Sequence, residues 1–236
     1  MYLKLIIMKR IQLTIVFTLL LALLTQSNNA TNFSNSNDLA PNVTLPIIKE
    51  TKGLKQLYVN NEPFLIIGAE LLNSSSSSID YMKDIWARVK SLNVNTVYLP
   101  ISWQQFEPKE GTFDYSLIDS HIKSASDNNL KLVILWLGSW KNGESHYTPD
   151  WVKTDMVRFP RMLFKDGKIS NAISNINRNC LNADLKAYKK LMERIAQVDK
   201  HGTVIMMQIE NEVGLLGSTR DFSRESTKLF EQQVPG

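Results

Sequence analysis

Three features of this 236-residue chain predict an α/β fold. Residues 96–99, 132–137 and 204–209 are short runs of strand formers, apolar on both faces, as in parallel strands buried beneath helices. Segments of helical periodicity, long enough for about ten residues or more, separate them, whereas a β-sandwich would place turn signals every 8 to 12 residues or so. No glycine-rich phosphate loop follows any strand, which weakens a nucleotide-binding, doubly wound version of the fold.

Taken in order, residues 57–67 read as a strand, an Asn60-Asn61 turn and a second strand that runs on into Gly68-Ala69-Glu70. Ile79, Met82, Ile85, Trp86 and Val89 then share one helical face. The strand at 96–99, stopped by Pro100, leads to a helix marked by Leu117, Ile118, His121, Ile122 and Ala125, with Ser116 and Asp119 set as a capping box. After the strand at 132–137, Leu185, Tyr188, Leu191, Met192, Ile195 and Val198 line a third helix. With the strand at 204–209 this makes four βα-type strands. The connection from the third strand to the fourth is much the longest, so residues 138–180 are expected to form an elaborated loop carrying Trp140, Tyr147, Trp151 and Phe159.

The amino-terminal end has a different character. Lys4, Lys9 and Arg10 precede an apolar run over 11–24, shorter than the roughly 18–20 residues of a membrane span, and a polar stretch follows to Ala30. Residues 1–30 therefore read as a signal peptide, 31–45 as a flexible Asn- and Ser-rich leader and 46–236 as the folded part, with a secreted or periplasmic destination and no stable membrane insertion after cleavage. Loss of the leader leaves 24 basic residues against 23 acidic, a balance that argues against nucleic acid or an anionic membrane surface as partner. Cys180 is the single cysteine and cannot form an internal disulfide; without a fitting His motif it reads as a core or loop residue. His121, His146 and His201 are scattered, so neither a metal nor a cofactor is expected, and His121 reads as a packed, hydrogen-bonded core histidine.

The most informative stretch is Thr203-Val-Ile-Met-Met-Gln-Ile-Glu-Asn-Glu-Val-Gly214, strand formers that end abruptly in Glu210-Asn211-Glu212. In barrel enzymes the strand bodies are buried and the chemistry sits at their carboxyl ends. The string resembles the acid/base strand of the retaining glycoside hydrolases, family 35 (the β-galactosidases) above all. Ile101-Ser-Trp-Gln-Gln-Phe-Glu-Pro-Lys-Glu-Gly-Thr-Phe-Asp114 is similar to the second-strand motif shared by families 35 and 42. The likeness runs from about residue 64 to 217. It implies a (β/α)8 TIM barrel, with about the first four βα units present and residues 46–236 forming its amino-terminal half.

Retaining hydrolysis needs a protonated carboxyl beside the leaving oxygen and a carboxylate about 5–5.5 Å away that attacks the anomeric carbon. The resemblance implies that Glu212 is the proton donor and that Asn211 binds the hydroxyl next to the anomeric centre. Glu212 would need burial or a neighbouring negative charge to stay protonated, and Glu210 is placed to supply part of that field; the plain alternative is that both meet Lys or Arg at a strand end. Glu70, closing the first strand, contacts substrate or bonds to a neighbouring strand, and Trp103 stacks on a sugar or covers the barrel mouth. Glu107 and Glu110 read as turn and cap residues. At the third strand the family sequence Ala-Glu-Trp is replaced by Gly138-Ser139-Trp140-Lys141-Asn142: Trp140 matches, Ser139 stands for a sugar-binding acid, and Lys141 or Asn142 is the candidate to replace the contact. This departure weakens the case for galactose and points to a divergent bacterial branch. The family nucleophile lies at the end of the seventh strand, so it is expected beyond this chain, which alone should be inactive. The expected activity is hydrolysis of terminal β-galactosides; the alternatives are another retaining β-glycosidase (glucosidase, mannosidase or endo-acting) and a noncatalytic sugar-binding barrel.

Overall fold

The computed structural model describes residues 43–234. The expected signal at 1–30 lies outside the described residues, as does nearly all of the leader over 31–45. A three-stranded antiparallel sheet comes first, built from β1 (Ile47–Thr51), β2 (Leu54–Val59) and β3 (Glu62–Pro63). Both of its turns carry two left-handed residues, Lys52 and Gly53 (φ 54° and 76°) and Asn60 and Asn61 (φ 51° and 66°). Such turns twist in the sense of the strands they join. The sequence predicts the second turn, but its second arm is only Glu62–Pro63 and does not run on into Gly68–Glu70, which joins a separate parallel sheet; the first hairpin, signalled only by Lys52-Gly53, adds a strand that the sequence does not predict.

The chain then alternates through β4 (Gly68–Glu70), α1 (Ile79–Ser91), β5 (Thr96–Ser102), α2 (Trp103–Phe106), α3 (Ser116–Asp127) and β6 (Lys131–Lys141). It continues with α4 (Asp150–Thr154), β7 (Arg161–Leu163), β8 (Ile169–Ile173), α5 (Arg178–Val198), β9 (Val204–Asn211) and α6 (Arg224–Phe230). Strands β4, β5, β6 and β9 form one parallel sheet in that order. A doubly wound sheet reverses its order at a switch point, where ligands bind. An order that follows the chain without reversal is that of a (β/α)8 barrel, four βα units of which are described.

The central strands β5 and β6 are apolar on both sides because both sides are covered. On one face Val97, Leu99, Ile101, Leu132, Ile134 and Trp136 pack beneath the helices, against Trp86, Ile122 and Leu191 among others. On the other, Val133, Leu135, Leu137 and Ile205 meet Val59 of β2, with Leu57, Phe64 and Ile66 at the margin. At about 25 cal/mol per Å², burial on two faces stabilises such strands more than cross-strand pairing alone. Pro100 does not end β5, as the sequence suggests. The Tyr98 carbonyl accepts the Leu71 N–H on the β4 side, and Pro100, two residues on, points to the same side after β4 has stopped, so its missing N–H breaks no ladder bond.

Caps fix the helix ends. Ser78 caps α1 through Tyr81 N–H, and Asn177 caps α5 through Cys180 N–H. Left-handed Asn93 and Asn129 (φ 57° and 56°) turn the chain just past α1 and α3, which is the position an asparagine tolerates best after glycine. The capping box expected at Ser116 and Asp119 is not formed: Asp114 receives the Ser116 N–H instead, and Asp119 is drawn away into an ion pair with Arg194 of α5. The buried face of α5 is also shifted from the expected one. It runs Cys180, Asp184, Ala187, Leu191 and Ile195, while Leu185 stays exposed.

Residues 138–180 are more ordered than a loop. They contain the end of β6, α4 and the antiparallel pair β7–β8. Their aromatic content packs the excursion down rather than opening it: Trp151 meets Trp103 edge-on at 5.7 Å and Phe159 at 5.8 Å.

Candidate active site

The site is built at the carboxyl ends of the parallel strands, where Glu70, Ser139 to Asn142 and Glu210 to Glu212 lie. Its central irregularity is between β6 and β9. Their ladder pairs Trp136 with Ile209 and resumes only at Lys141 with Asn211, so β6 spends four residues, 137–140, where β9 spends one. The extra residues leave β6 amides without a strand carbonyl. The Glu210 carboxylate takes two of them, the N–H of Ser139 at 2.9 Å and of Trp140 at 2.7 Å.

Glu210 and Glu212 both have left-handed backbone (φ 63° and 51°), bracketing Asn211. For non-glycine residues this costs of order 1–3 kcal/mol each and persists only where the surroundings hold it. The turn at Glu210 breaks strand alternation and carries its side chain to the helix side, against Asp184 of α5. Asp184 is buried and accepts from Trp136 Nε1 (2.8 Å), Ser139 N–H (2.8 Å) and Ser139 Oγ (2.6 Å). Burial first, and the Asp184 carboxylate next, push the Glu210 carboxyl up to about 9 against the opposing pull of the Trp140 and Ser139 amides.

Glu212 sits differently. It is exposed, its backbone carbonyl accepts the Gly143 N–H at 3.1 Å, and its side chain forms no hydrogen bond among the described residues. The burial and neighbouring charge that the sequence reading seeks for Glu212 thus lie at Glu210. Ion pairing at the strand end, the plain alternative, is found for neither acid among the described residues. Asn211, between them, is satisfied with its side-chain oxygen toward Lys141 Nζ (3.0 Å) and the Glu212 N–H (3.2 Å). Asn142 is exposed, left-handed at φ 53°, and its side-chain amide meets that of Asn211 at 3.3 Å. Lys141, Asn142 and Asn211 are therefore neighbours at the strand tip, joined to Glu212 through its backbone N–H.

The other expected contacts separate. Trp103 is fully buried, donates Nε1–H to Glu107 at 2.8 Å and packs on Trp151, which leaves no ring face for a sugar. The expected stacking role of Trp103 is corrected on that ground. Glu107 is buried and also accepts the Gly111 N–H, as a turn residue would, whereas Glu110 makes a bidentate pair with Arg158. Trp140 is largely buried with Met162 and Ala172, yet lines a cavity of about 480 Å³ with Val213, Leu215, Arg220 and Phe230. Glu70 is exposed at the β4 tip, three strands from β9. At about 4.8 Å per strand the two tips are about 14 Å apart along the sheet, and no described hydrogen bond joins Glu70 to Glu212. Ser139 is turned inward to Asp184 and Cys180 and presents nothing to the site.

Two further residues are packed as core groups. Burial pushes the Cys180 thiol up to about 12, against a weaker pull from Ser139, so it stays an unreactive thiol. His121 is buried with Nε2–H donated to the Ser76 carbonyl at 2.7 Å, and burial holds its pKa down. Among the described residues no group of three His, Cys, Asp or Glu side chains could hold a metal ion, and no helix is long and apolar enough to cross a membrane. The residue that sequence reasoning misses is Asp184. Its signal is positional: an acid in phase with Ala187 and Leu191 on the helix face turned to the core.

Parallel strands in unreversed order, with carboxylates and amides gathered at their carboxyl ends, define a protein of the glycosidase barrel class. The profile of glycosyl hydrolases family 35 matches residues 56–235, and the chain belongs to that family. It is 25% identical over 178 residues to beta-galactosidase-1-like protein 3 of Homo sapiens, covering 72% of this chain and 25% of that one. Beta-galactosidase 8 of Oryza sativa subsp. japonica is 27% identical over 165 residues (68% and 23% covered), and a beta-galactosidase of Xanthomonas manihotis 25% over 155 residues (64% and 24%). The chain spans about a quarter of the length of the curated relatives it matches. Among solved structures, an exo-beta-1,4-mannosidase from Opitutaceae bacterium strain TAV5 superposes with a TM-score of 0.47 at 17% identity, covering 64% of this chain and 25% of that one.

Proposed function

We propose that the protein hydrolyses terminal β-galactosides with retention and that Glu212 is its acid/base. The observation that carries this reading is the exposed Glu212 beside Asn211 at the carboxyl end of β9, within a chain of family 35. In the first step Glu212 gives its proton to the glycosidic oxygen while a second carboxylate bonds to the anomeric carbon and the aglycone leaves. Glu212 then takes a proton from water, whose oxygen displaces the carboxylate and releases the sugar. The second carboxylate is read, from the family resemblance, as a glutamate at the end of a seventh strand; Glu210, turned toward α5, is not placed to serve. Asn211, positioned by Lys141, holds the sugar hydroxyl next to the reacting carbon.

The test uses the longest natural product of the gene and a panel of aryl glycosides. Glu212→Gln is expected to lower kcat on the aryl β-galactoside about 10²- to 10⁴-fold, the usual contribution of a general acid/base. Undiminished turnover by that variant would sink the assignment. A second reading, another retaining β-glycosidase, is favoured by Ser139, which faces Asp184 and leaves the third strand without an acid for the sugar. Faster turnover of the glucoside or mannoside would select it, and tight calorimetric binding of galactosides without turnover would select a noncatalytic sugar-binding barrel. The same proposal includes export to the periplasm or medium, which fractionation of the native cells would test.

A further inference from the structure

Asp184 and Glu210 come from elements far apart in the chain, yet they close the same gap at the end of β6. We propose that Asp184 and Glu210 form one hydrogen-bonded carboxyl pair sharing a single proton, and that this pair is the positioning device that holds the strand tip bearing Asn211 and Glu212 against β6. The positioning part rests on the proposed role of Glu212; the shared proton does not.

The geometry carries the pairing. A single donor, the Ser139 N–H, is shared by Asp184 Oδ2 at 2.8 Å and Glu210 Oε1 at 2.9 Å, so the two carboxyl groups lie side by side. Asp184 is further fixed by Trp136 Nε1 and Ser139 Oγ, and Glu210 by the Trp140 N–H. Gly138 permits the approach: a Cβ there would lie 2.5 and 2.7 Å from the two Asp184 oxygens. Among the described residues no Lys, Arg or His forms an ion pair with either acid. The titratable groups that face the cluster are Cys180 on α5, whose thiol touches Ser139 Oγ at 3.2 Å, and Arg161 on β7, whose charge acts on that thiol. Two adjacent carboxylates with no cation cannot both ionise, so one keeps its proton and donates it to the other.

The same contacts explain the strand tip. A left-handed residue at 210 and another at 212 persist only if the chain is pinned on both sides of Asn211. Glu210 is pinned through Ser139, Trp140 and Asp184, and Glu212 through its carbonyl to Gly143 N–H. Neither Asp184 nor Glu210 faces substrate; they act through the backbone that presents Glu212.

Infrared spectra of the whole chain, carrying ¹³C-labelled glutamate carboxyls, test the shared proton. A protonated-glutamate band at pH 7 is expected in the wild type, absent from Glu210→Gln and weakened or shifted in Asp184→Asn, where Glu210 loses the neighbouring charge that adds to its burial. No such band in the wild type, or an unchanged band in Glu210→Gln, overturns the pair. Hydrogen exchange at the Gly143 amide tests positioning: about tenfold or faster exchange is expected in both variants at unchanged circular dichroism, and unaltered exchange overturns it. In the longest natural product, Asp184→Asn is expected to lower kcat about tenfold with KM little changed, as for an interaction realised in the transition state. Should the wild type turn over no glycoside, the proposed function fails while the infrared and exchange results still decide the pair.

Discussion

Glu210 and Glu212 are two residues apart, and the structure separates their environments completely. Glu210 is turned inward onto amides and a carboxylate, whereas Glu212 is exposed and its side chain forms no hydrogen bond among the described residues. Identical side chains therefore do different work because the left-handed backbone at each reverses strand alternation. Trp103 shows how residue type alone misleads. An indole in a site motif suggests a sugar platform, but this one is fully buried and hydrogen-bonded to Glu107. Trp103→Ala is expected to destabilise the chain by about 3–5 kcal/mol, the usual cost of emptying a core aromatic site, with Glu107 also losing its donor. Urea unfolding measures this; a stable variant with weakened sugar binding would restore the platform role.

At the scale of elements, the run of four β6 residues against one in β9 shapes the site. A regular ladder would have satisfied the Ser139 and Trp140 amides with strand carbonyls and left no place for Glu210. The bulge also brings α5 close enough for Asp184 to bond Trp136 and Ser139, which Gly138 alone allows. Gly138→Ala is expected to destabilise the fold by about 1–3 kcal/mol through this overpacking. Combining it with Asp184→Ala should recover part of the loss in thermal unfolding; strict additivity would show that Asp184 is not the clashing group. The aromatic residues of 138–180 belong to this scale too. Phe159 and Trp151 seal the excursion onto α2.

For the whole molecule, the half-buried Glu210 carboxyl links the fold to pH. Its value near 9 exceeds the roughly 4.3 of an unfolded glutamate, so above the lower value the unfolded chain binds fewer protons than the folded one. Its stabilising contribution is complete below the unfolded value and is lost as pH rises through the folded one. Unfolding free energy is therefore expected to decline between about pH 5 and 9. Glu210→Gln should flatten that decline in urea titrations across the range, and an unchanged slope would place the linkage elsewhere. The sheet edges show the other molecular-scale feature: Leu65, Ile67 and Leu72 near β4, and Met206 and Ile209 on β9, are apolar and exposed.

The amino-acid order by itself determined the α/β class, the four parallel strands with the three long helices between them, the Asn60-Asn61 turn and the strand tip at 210–212. These are legible because burial on two faces imposes apolar runs, burial on one imposes helical periodicity, and tight turns demand residues that tolerate left-handed backbone. Tertiary structure alone decided that Trp103 is core against Trp151, that Asp119 pairs with Arg194 instead of closing a box with Ser116, and that Glu210 rather than Glu212 is turned inward. Each depends on a partner distant in the chain, such as Asp184 to Ser139 across 45 residues or Glu210 to Trp140 across 70. Periodicity states which face of an element is buried. What lies across that face is set by how strand registers and helix packing bring remote segments together, and local patterning does not encode that pairing.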